Sequence, residues 1–149
     1  MKELSLYILD ITMNSVKAGA KNISIPLGEC DGIFSFSVED DGCGMTKEQL
    51  ERLSDPFFTT RTTRKVGLGV PFLRMLAEQT GGYVEIKSRS EKEYADHGTE
   101  LTAVFREDSI DFIPLGDIVS TVVTLIQGSP DVDFLFTHTA PGVNVRLDT

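Results

Sequence analysis

The chain has 149 residues, of which 40% are hydrophobic, so it is long enough to fold around a substantial core. Its net charge of −9 argues against a non-specific nucleic-acid or anionic-membrane binder, because such binding needs a cationic surface. No apolar run approaches the roughly 20 residues of a membrane span, and the N-terminus lacks signal-peptide features. Cys30 and Cys43 have no metal-ligand spacing, which is typical of free thiols in a reducing compartment. We therefore expect a cytoplasmic protein without a nucleic-acid or membrane partner.

The first predicted element is a helix over about residues 2–18. Its apolar positions cover most of its circumference and leave one narrow polar stripe, in which Asp10, Asn14 and Lys17 are neighbours. A carboxylate, an amide and an ammonium beside a buried helix need partners, which are either each other or a ligand. The pattern therefore leaves two interpretations open, a ligand site and a simple surface stripe.

Two alternating segments, residues 22–27 and 33–40, predict an antiparallel hairpin with one buried face. The second segment ends in Asp40-x-Gly42-x-Gly44, and a capping-box pattern from Thr46 to Gln49 then begins a short helix over 47–53. Two glycines there let the backbone approach a flat ligand, and Asp40 offers an anionic acceptor. The alternative is an ordinary Asp-Gly turn, although a hairpin turn leads into a strand and this one leads into a helix.

The segment 55–66 has neither helical nor strand periodicity and is long for a connection in a compact domain, which favours a functional lid. It leads through a glycine-rich stretch into a helix over 70–79. A cationic, glycine-rich loop at a helix N-terminus is typical of an anion site, and the alternative is a solvated basic loop with a flexible linker. The cations are Arg61, Arg64 and Lys65, and the stretch is Gly67, Leu68 and Gly69.

Two further alternating segments, residues 83–89 and 99–105, predict another antiparallel pair. The element order is then helix, two strands, helix, lid, helix and two strands. This order predicts an α+β fold, a two-layer α/β sandwich whose mixed, mostly antiparallel sheet is covered by helices on one face.

The tail of about 108–149 predicts a helix over 114–127 and a hairpin of strands 132–136 and 143–147. It is too small to fold alone, so we expect it to dock on the core of about 1–107 and to extend or cap it. Residues 1–149 are therefore predicted to form a single domain.

Short motifs follow one another along the chain in an order that resembles the GHKL ATP-binding superfamily. That superfamily includes histidine kinases, DNA gyrase, heat-shock chaperones, mismatch-repair ATPases and anti-sigma-factor kinases. The resemblance covers about residues 4–105 and implies its ATP-binding (Bergerat) fold. The whole chain is also similar to a small stand-alone bacterial group of histidine-kinase-like proteins. The motifs are Asp10-x-x-x-Asn14 (N box), Asp40-x-Gly42-x-Gly44 (G1 box), Pro56-Phe57-Phe58-Thr59-Thr60 (F box), Gly67-x-Gly69 (G2 box) and Gly98-Thr99.

The resemblance implies ATP and Mg²⁺ as the bound species. Asp40 would accept a hydrogen bond from the adenine amino group, directly and through a water that Thr99 also holds. Asn14 would hold Mg²⁺, and Asp10 would be the catalytic base. The other nucleotide-binding residues that it implies are Lys17, Gly42, Gly44, Met45, Phe57, Thr60, Gly67, Leu68 and Gly69. Charge alone adds Arg61, Arg64 and Lys65 as contacts to the γ-phosphate.

Three departures from the superfamily pattern matter. Lys65 stands where the G2 box usually begins with glycine, and Asp10 stands where the hydrolysing branches usually have the longer Glu. We expect no histidine-bearing helical hairpin before the N box and no second domain that supplies a further lysine. We therefore expect a kinase that phosphorylates a partner protein in trans, or a slow ATPase. The alternative is a nucleotide-gated interaction module with negligible turnover. A homodimer is compatible with either function.

Overall fold

The computed structural model describes residues 3–53 and 69–149. The helices are α1 (Leu4–Lys17), α2 (Lys47–Leu53), α3 (Gly69–Gln79) and α4 (Ile118–Gly128). The strands are β1 (Asn22–Cys30), β2 (Ile33–Asp40), β3 (Tyr83–Arg89), β4 (Gly98–Arg106), β5 (Asp133–Ala140) and β6 (Val143–Asp148). The lid predicted over 55–66 lies outside the described residues.

The six strands form one sheet in the order β3-β4-β2-β1-β5-β6. Every neighbouring pair is antiparallel except β1 with β5, which is parallel. Alternate side chains of β1 and β2 are buried in one core together with side chains of α1, α3 and α4, so the helices cover one face of the sheet. The predicted α+β sandwich with a mixed, mostly antiparallel sheet is confirmed.

Aromatic side chains fill the end of the core farthest from the G1 box. The rings of Phe34 and Phe105 lie 6.3 Å apart between centroids, and Phe112 lies 6.1 Å from each of them. Tilted aromatic pairs at such separations each contribute about 0.5–1.5 kcal/mol beyond the burial of their surface. Because Phe112 precedes the tail helix, this cluster ties the start of the tail to the central strands.

The capping box predicted at the start of α2 is present. The backbone N–H of Gln49 donates to the Thr46 hydroxyl (3.2 Å), and the backbone N–H of Thr46 donates to the Gln49 side-chain oxygen (2.9 Å). This reciprocal pair satisfies two backbone donors that would otherwise lack a partner at the helix start. The G1 box therefore does connect a strand to a helix.

The tail helix begins at Ile118, so its predicted start at Pro114 is wrong. Gly116 has a φ of +79°, which interrupts the helix, and the Asp117 side chain then caps α4 by accepting from the Ser120 N–H (2.9 Å). The carbonyls of Pro114 and Leu115 are occupied elsewhere, because they accept the N–H groups of the first turn of α1.

The tail strands also differ in length from their predictions. β5 runs over Asp133–Ala140, beyond the predicted 132–136, and β1 continues to Cys30, beyond the predicted end at residue 27. These two strands pair side by side from Asn22 to Gly28, so tertiary pairing prolongs both past the alternating pattern of their side chains. The tail thus adds two strands to the sheet and a helix to its covered face.

Candidate functional site

A cavity of about 340 Å³ lies between α1, the G1 box and strands β2, β4 and β3. Its size is within the range of small-molecule sites. Most of its surface is apolar, and a few polar side chains also line it. The apolar lining residues are Ile11, Ala18, Val38, Met45, Val70, Ile86 and Leu101, and the others are Asn14, Ser15, Lys17, Asp40, Cys43, Gly44, Gln49 and Thr99.

Asp40, the last residue of β2, is held by both of its carboxylate oxygens. The Ser15 hydroxyl donates to Oδ2 (2.5 Å), and the backbone N–H of Gly42 donates to Oδ1 (2.9 Å). Each oxygen of a carboxylate can accept two hydrogen bonds, so each retains capacity for a ligand donor. The carboxylate is therefore oriented before a ligand arrives, which avoids the entropy cost of ordering it on binding.

A second hydroxyl network ties the G1 box to the neighbouring strands. Thr99 lies opposite Asp40 on one side and opposite Ser88 on the other. The Ser88 and Thr99 hydroxyl oxygens are 2.7 Å apart, and the Met45 backbone N–H donates to Ser88 Oγ (2.8 Å). When Ser88 donates to the carbonyl of Gly98, which lies 3.1 Å away, Thr99 donates to Ser88 and keeps acceptor capacity next to Asp40.

The two glycines of the G1 box are closely packed, and the position of Gly44 excludes a side chain. Gly44 has a φ of +70°, and a Cβ there would collide with the backbone carbonyl of Arg89. A Cβ on Gly42 would lie only 3.0 Å from the Ala18 side chain and carbonyl. The backbone N–H of Cys43 donates to that same carbonyl (2.9 Å). The loop is therefore packed between the end of α1 and the end of β3, with its backbone against the cavity.

Helix α1 presents the N box to the cavity. Its buried residues, which include Ile8 and Ser15, face the sheet, and Asn14 and Lys17 line the cavity. Asp10 lies one helical turn before Asn14, is absent from the described lining residues, and buries its Oδ2 atom. Helix α1 therefore places the Asn14 amide and the Lys17 ammonium at the cavity, and the Asp10 carboxylate beside them.

The side chains that α1 contributes to the cavity fit a nucleotide and a cation with few protein ligands. Among the described residues, no group of three or more His, Cys, Asp or Glu side chains is arranged to hold a metal ion. Asn14 offers one amide oxygen, and Mg²⁺ commonly takes one or two protein oxygens and completes its shell with phosphate and water. Helix α3 begins at Gly69, and Val70 at its first turn lines the cavity, so the first turn of a helix, whose N–H groups have no partner within the helix, lies at the cavity.

A second, more charged cavity of about 440 Å³ lies on the other side of Asp40 and Thr99. Its lining includes Glu39, Glu100 and the ion pair of Arg89 with Asp96 (2.6 Å). Burial, followed by the charge of Glu100, raises the pKa of Glu39 above its ordinary value. These charged walls do not suit a flat apolar ring, so the 340 Å³ cavity is the candidate base-binding site.

The structure brings six of the predicted site residues that it describes to the cavity, but Asp10, Gly42 and Gly69 do not line it. The Gly42 N–H donates to Asp40, and Gly69 begins α3. Sequence reasoning missed Ser15 and Ser88, although the alternation of β3 puts Ser88 on the covered face and was available as a signal. The predicted nucleotide-binding residues that line the cavity are Asn14, Lys17, Asp40, Gly44, Met45 and Thr99. The predicted residues outside the described ranges are Phe57, Thr60, Arg61, Arg64, Lys65, Gly67 and Leu68.

Residues 2–109 match the model of one protein family, described as histidine kinase-, DNA gyrase B-, and HSP90-like ATPases. The chain is 35% identical over 88 residues to the sensor histidine kinase ZraS of Klebsiella oxytoca, covering 57% of this chain and 19% of that protein. It is 29% identical over 94 residues to a probable C4-dicarboxylate sensor kinase of Bacillus subtilis, covering 63% and 17%. The chain thus spans about a fifth of the length of these relatives.

The fold is similar to that of the ADP-bound ATPase domain of Aquifex aeolicus MutL. The TM-score is 0.61 at 14% sequence identity, with 99% of this chain and 63% of that chain covered. This likeness concerns the fold, and it includes the tail beyond the family match. None of the described helices has the length and hydrophobicity that a membrane span requires.

Proposed function

The chain belongs to the family of histidine kinase-, DNA gyrase B-, and HSP90-like ATPases, and from this premise we propose that it binds Mg-ATP and transfers the γ-phosphoryl group to a partner protein in trans. The observation that carries the nucleotide proposal is the Asp40 carboxylate, which Ser15 and Gly42 orient in the lining of a mostly apolar cavity. The relatives' sensor-kinase activity belongs to longer proteins, of which the match covers about a fifth, so the proposed reaction rests on the residues of this site.

In this proposal the adenine ring enters the apolar cavity edge first. Its exocyclic amino group donates to Asp40, and a water between the base and Thr99 completes the recognition. The branched side chains of Val38, Ile86 and Leu101 contact the ring and exclude water from it. An anionic acceptor favours a 6-amino purine over a 6-oxo purine, because the latter presents an acceptor at the same position.

The phosphates extend toward the start of α3 and the N box. Backbone N–H groups at a helix start and the ammonium of Lys17 both favour negative charge. The Asn14 side-chain oxygen would hold Mg²⁺, whose contribution is to neutralise charge on the phosphates during transfer. Arg61, Arg64 and Lys65, outside the described residues, remain proposed γ-phosphate contacts because of their charge.

The proposed reaction is an in-line displacement at the γ-phosphorus. A hydroxyl or imidazole of the partner forms the new bond to phosphorus, the bond to the bridging oxygen breaks, and ADP leaves. The partner's proton goes to the Asp10 carboxylate, which acts as the base. Slow transfer to water follows the same route with water as the acceptor.

Exposed apolar side chains on the outer surface of the helices support the proposal of a protein partner. Leu6 and Met13 of α1 are 41% and 36% exposed, and Phe72 and Met75 of α3 are 49% and 48% exposed. The two helices also carry the N box and the start of the phosphate site. Methionine side chains adapt to varied partner surfaces, so we propose that the acceptor protein docks on this helical surface.

The alternative function is a nucleotide-gated interaction module. The observation that favours it is the position of Asp10, which has the shorter acidic side chain and is absent from the described cavity lining. In such a module ATP orders the protein for a partner without turnover. We further propose a cytoplasmic location, in keeping with the free thiols of Cys30 and Cys43, and a single domain that spans residues 1–149.

These functions are separated by adding γ-labelled ATP to the purified protein together with lysate of its source cells. Label on a protein band supports the kinase, label in free phosphate supports an ATPase, and ADP binding without either supports the gated module. Absence of nucleotide binding by calorimetry would overturn all three.

The variant Asp10→Asn tests the proposed base. It is expected to retain ADP affinity and to lose label transfer by at least about 100-fold, the usual contribution of a positioned base. Asp131→Asn, at an exposed position in the tail, is the matched control and should transfer label normally. Retained transfer by Asp10→Asn would exclude Asp10 as the base.

A further inference from the structure

Strand β6 forms one edge of the sheet and has few of the features that protect edge strands. Its only described neighbour is β5, so one row of its backbone N–H and C=O groups has no strand partner among the described residues. Edge strands are usually guarded by proline, by bulges or by several charges. Within β6, whose sequence is Val-Asn-Val-Arg-Leu-Asp, the only charges are Arg146 and Asp148, which have opposite signs.

The hydrogen bonds of β6 determine which of its residues present the free backbone groups. The Thr149 N–H donates to the Phe134 carbonyl of β5 (3.0 Å). Because the direction of the backbone groups alternates along a strand, the odd-numbered residues 145 and 147 also face β5. The backbone groups of Asn144, Arg146 and Asp148 therefore point to the open edge.

The same edge has uncovered apolar side chains. Leu147 lies opposite the buried Phe136 and therefore points to the helix-covered face of the sheet, yet it is 42% exposed. Val145 points to that face as well and is 48% exposed. On the helix layer of the same face, Val119 and Val123 of α4 are 70% and 43% exposed. Exposed apolar side chains in both layers of one face are typical of an interaction site.

We propose that β6 pairs with β6 of a second copy of this chain in an antiparallel arrangement centred on Leu147. A two-fold axis perpendicular to the sheet keeps the covered faces of both copies on the same side. Arg146 of each copy then lies opposite Asp148 of the other, and the outward backbone groups of both pairs form hydrogen bonds. The two Leu147 side chains meet at the axis, where directly opposed residues approach most closely.

The charges of β6 favour this register over the neighbouring one, and they favour a second copy of the chain as the partner strand. Moving the centre to Arg146 would place two arginines directly opposite each other, which is unfavourable. The chosen register instead makes two opposite-charge pairs from residues that are exposed in the single chain, with side chains 68% and 61% accessible. A strand that carries one cation and one anion two residues apart is complementary to its own antiparallel copy, so a second copy is the occupant that the edge fits.

The arrangement also joins the apolar surfaces. Stable interfaces usually bury about 1,000 Å² or more in total, which strand pairing alone does not reach. Because the axis keeps both helix layers on one side, Val145, Leu147 and the exposed valines of α4 lie on the same face of the joined sheet in both copies. The result is one continuous sheet of twelve strands, counted from the six described in each copy.

The test is charge exchange at the edge, measured by sedimentation velocity on the full chain at concentrations up to about 100 µM. Wild type is expected to sediment at twice its 16.4 kDa mass. Arg146→Asp and Asp148→Arg should each be monomeric, because each places like charges opposite each other. An equimolar mixture of the two variants should form a heterodimer, and the double variant should dimerise again.

The intramolecular pair between Arg146 and Asp148 spans 3.6 Å at an exposed position, so its loss should cost little stability. Thermal melts and ADP titration check that each variant is folded. Monomeric wild type would overturn the proposal, and so would single variants that dimerise as wild type does or a mixture that stays monomeric. If a single variant fails to fold, the double variant decides, because the proposal requires it to be dimeric.

Discussion

The most direct test of the proposed adenine site is Asp40→Asn. The carboxylate accepts from Ser15 and from the Gly42 N–H, and the proposal adds the adenine amino group as a third donor. An amide of the same shape has one acceptor oxygen and one NH₂ donor. With its oxygen facing Gly42, its NH₂ group faces Ser15, whose hydroxyl can rotate to accept. The fold is thus retained while half of the acceptor capacity and the negative charge are lost.

The size of the effect follows from the type of hydrogen bond. A hydrogen bond to a charged group contributes about 1.5–3 kcal/mol. Because each 1.4 kcal/mol corresponds to a factor of ten, the dissociation constant for ADP is expected to rise roughly tenfold to 100-fold. The measurement is isothermal titration calorimetry with ADP and with IDP, which has a carbonyl in place of the amino group.

The comparison of the two nucleotides makes the test specific to recognition. Wild type should bind ADP more tightly than IDP, because the IDP carbonyl faces a carboxylate. In Asp40→Asn that preference should shrink or reverse, because the amide can donate to the carbonyl. A change in overall affinity with an unaltered ADP-to-IDP ratio would refute the assignment of Asp40 to the adenine amino group.

Asp41→Asn is the matched control, because the Asp41 carboxylate binds the chain at the start of β1 and does not line the cavity. Its carboxylate accepts from the backbone N–H of Lys21 (2.7 Å) and from the backbone and side chain of Asn22 (3.0 and 2.8 Å). Burial acts to raise the pKa of Asp41, but these hydrogen bonds outweigh it and lower that pKa below 3.8. Its stabilisation is therefore present above pH 3.8 and lost as the pH falls through the lowered pKa. Asp41→Asn should lower the melting temperature at pH 7 and leave the ADP-to-IDP ratio unchanged.

Three further changes test the surroundings of the site. Gly44→Ala should lower the free energy of unfolding by about 3 kcal/mol or more, measured with urea, because the added Cβ meets backbone at a positive φ; a fully stable variant would contradict this geometry. Ser88→Ala should weaken ADP binding and cost about 1–3 kcal/mol of stability, since it removes the acceptor of the Met45 N–H directly after the G1 box. Wild-type affinity and a wild-type unfolding midpoint would contradict this prediction. Glu39→Gln should raise the melting temperature at pH 7 and have no effect well below pH 4.5. Burial and Glu100 raise the pKa of Glu39, so the charged carboxylate destabilises the folded protein once the pH rises above the ordinary pKa of glutamate. The same increase in melting temperature at both pH values would exclude this charge effect.

The parts of the fold that the sequence predicted are those with strong local signals. The strands over 22–27 and 33–40 alternate cleanly, and the capping box at Thr46 and Gln49 forms the predicted hydrogen bonds. Asn14, Asp40 and Thr99 meet at one cavity because Asp40 ends β2, Thr99 lies opposite it at the start of β4, and Asn14 lies on the polar stripe of α1. In such places local pattern and tertiary structure agree.

The residues that sequence reasoning missed act through partners that are distant in the chain. Ser15 is one position beyond the N-box asparagine, and its hydroxyl has a role only because α1 packs against the end of β2, 25 residues later. Ser88 bonds the Met45 N–H across 43 residues. Serine in a helix or strand is also compatible with solvent or with local backbone bonding, so periodicity alone does not distinguish these two from other serines.

The start of the tail helix was predicted wrongly for a similar reason, because it also depends on a contact between distant parts of the chain. Pro114 suits a first helical turn, but its carbonyl and that of Leu115 accept the N–H groups of Leu4 and Ser5 (2.9 and 2.8 Å). Helix α1 has no side-chain cap at its N-terminus, so these carbonyls satisfy donors that would otherwise be unpaired. The tail thus completes the helix that presents Asn14 and Lys17 to the cavity. Because the family match ends at residue 109, this support for the N box comes from a segment outside the matched family region. A contact to the tail that displaces residues 114–115 would therefore disturb the start of α1 and, through this helix, the proposed nucleotide site.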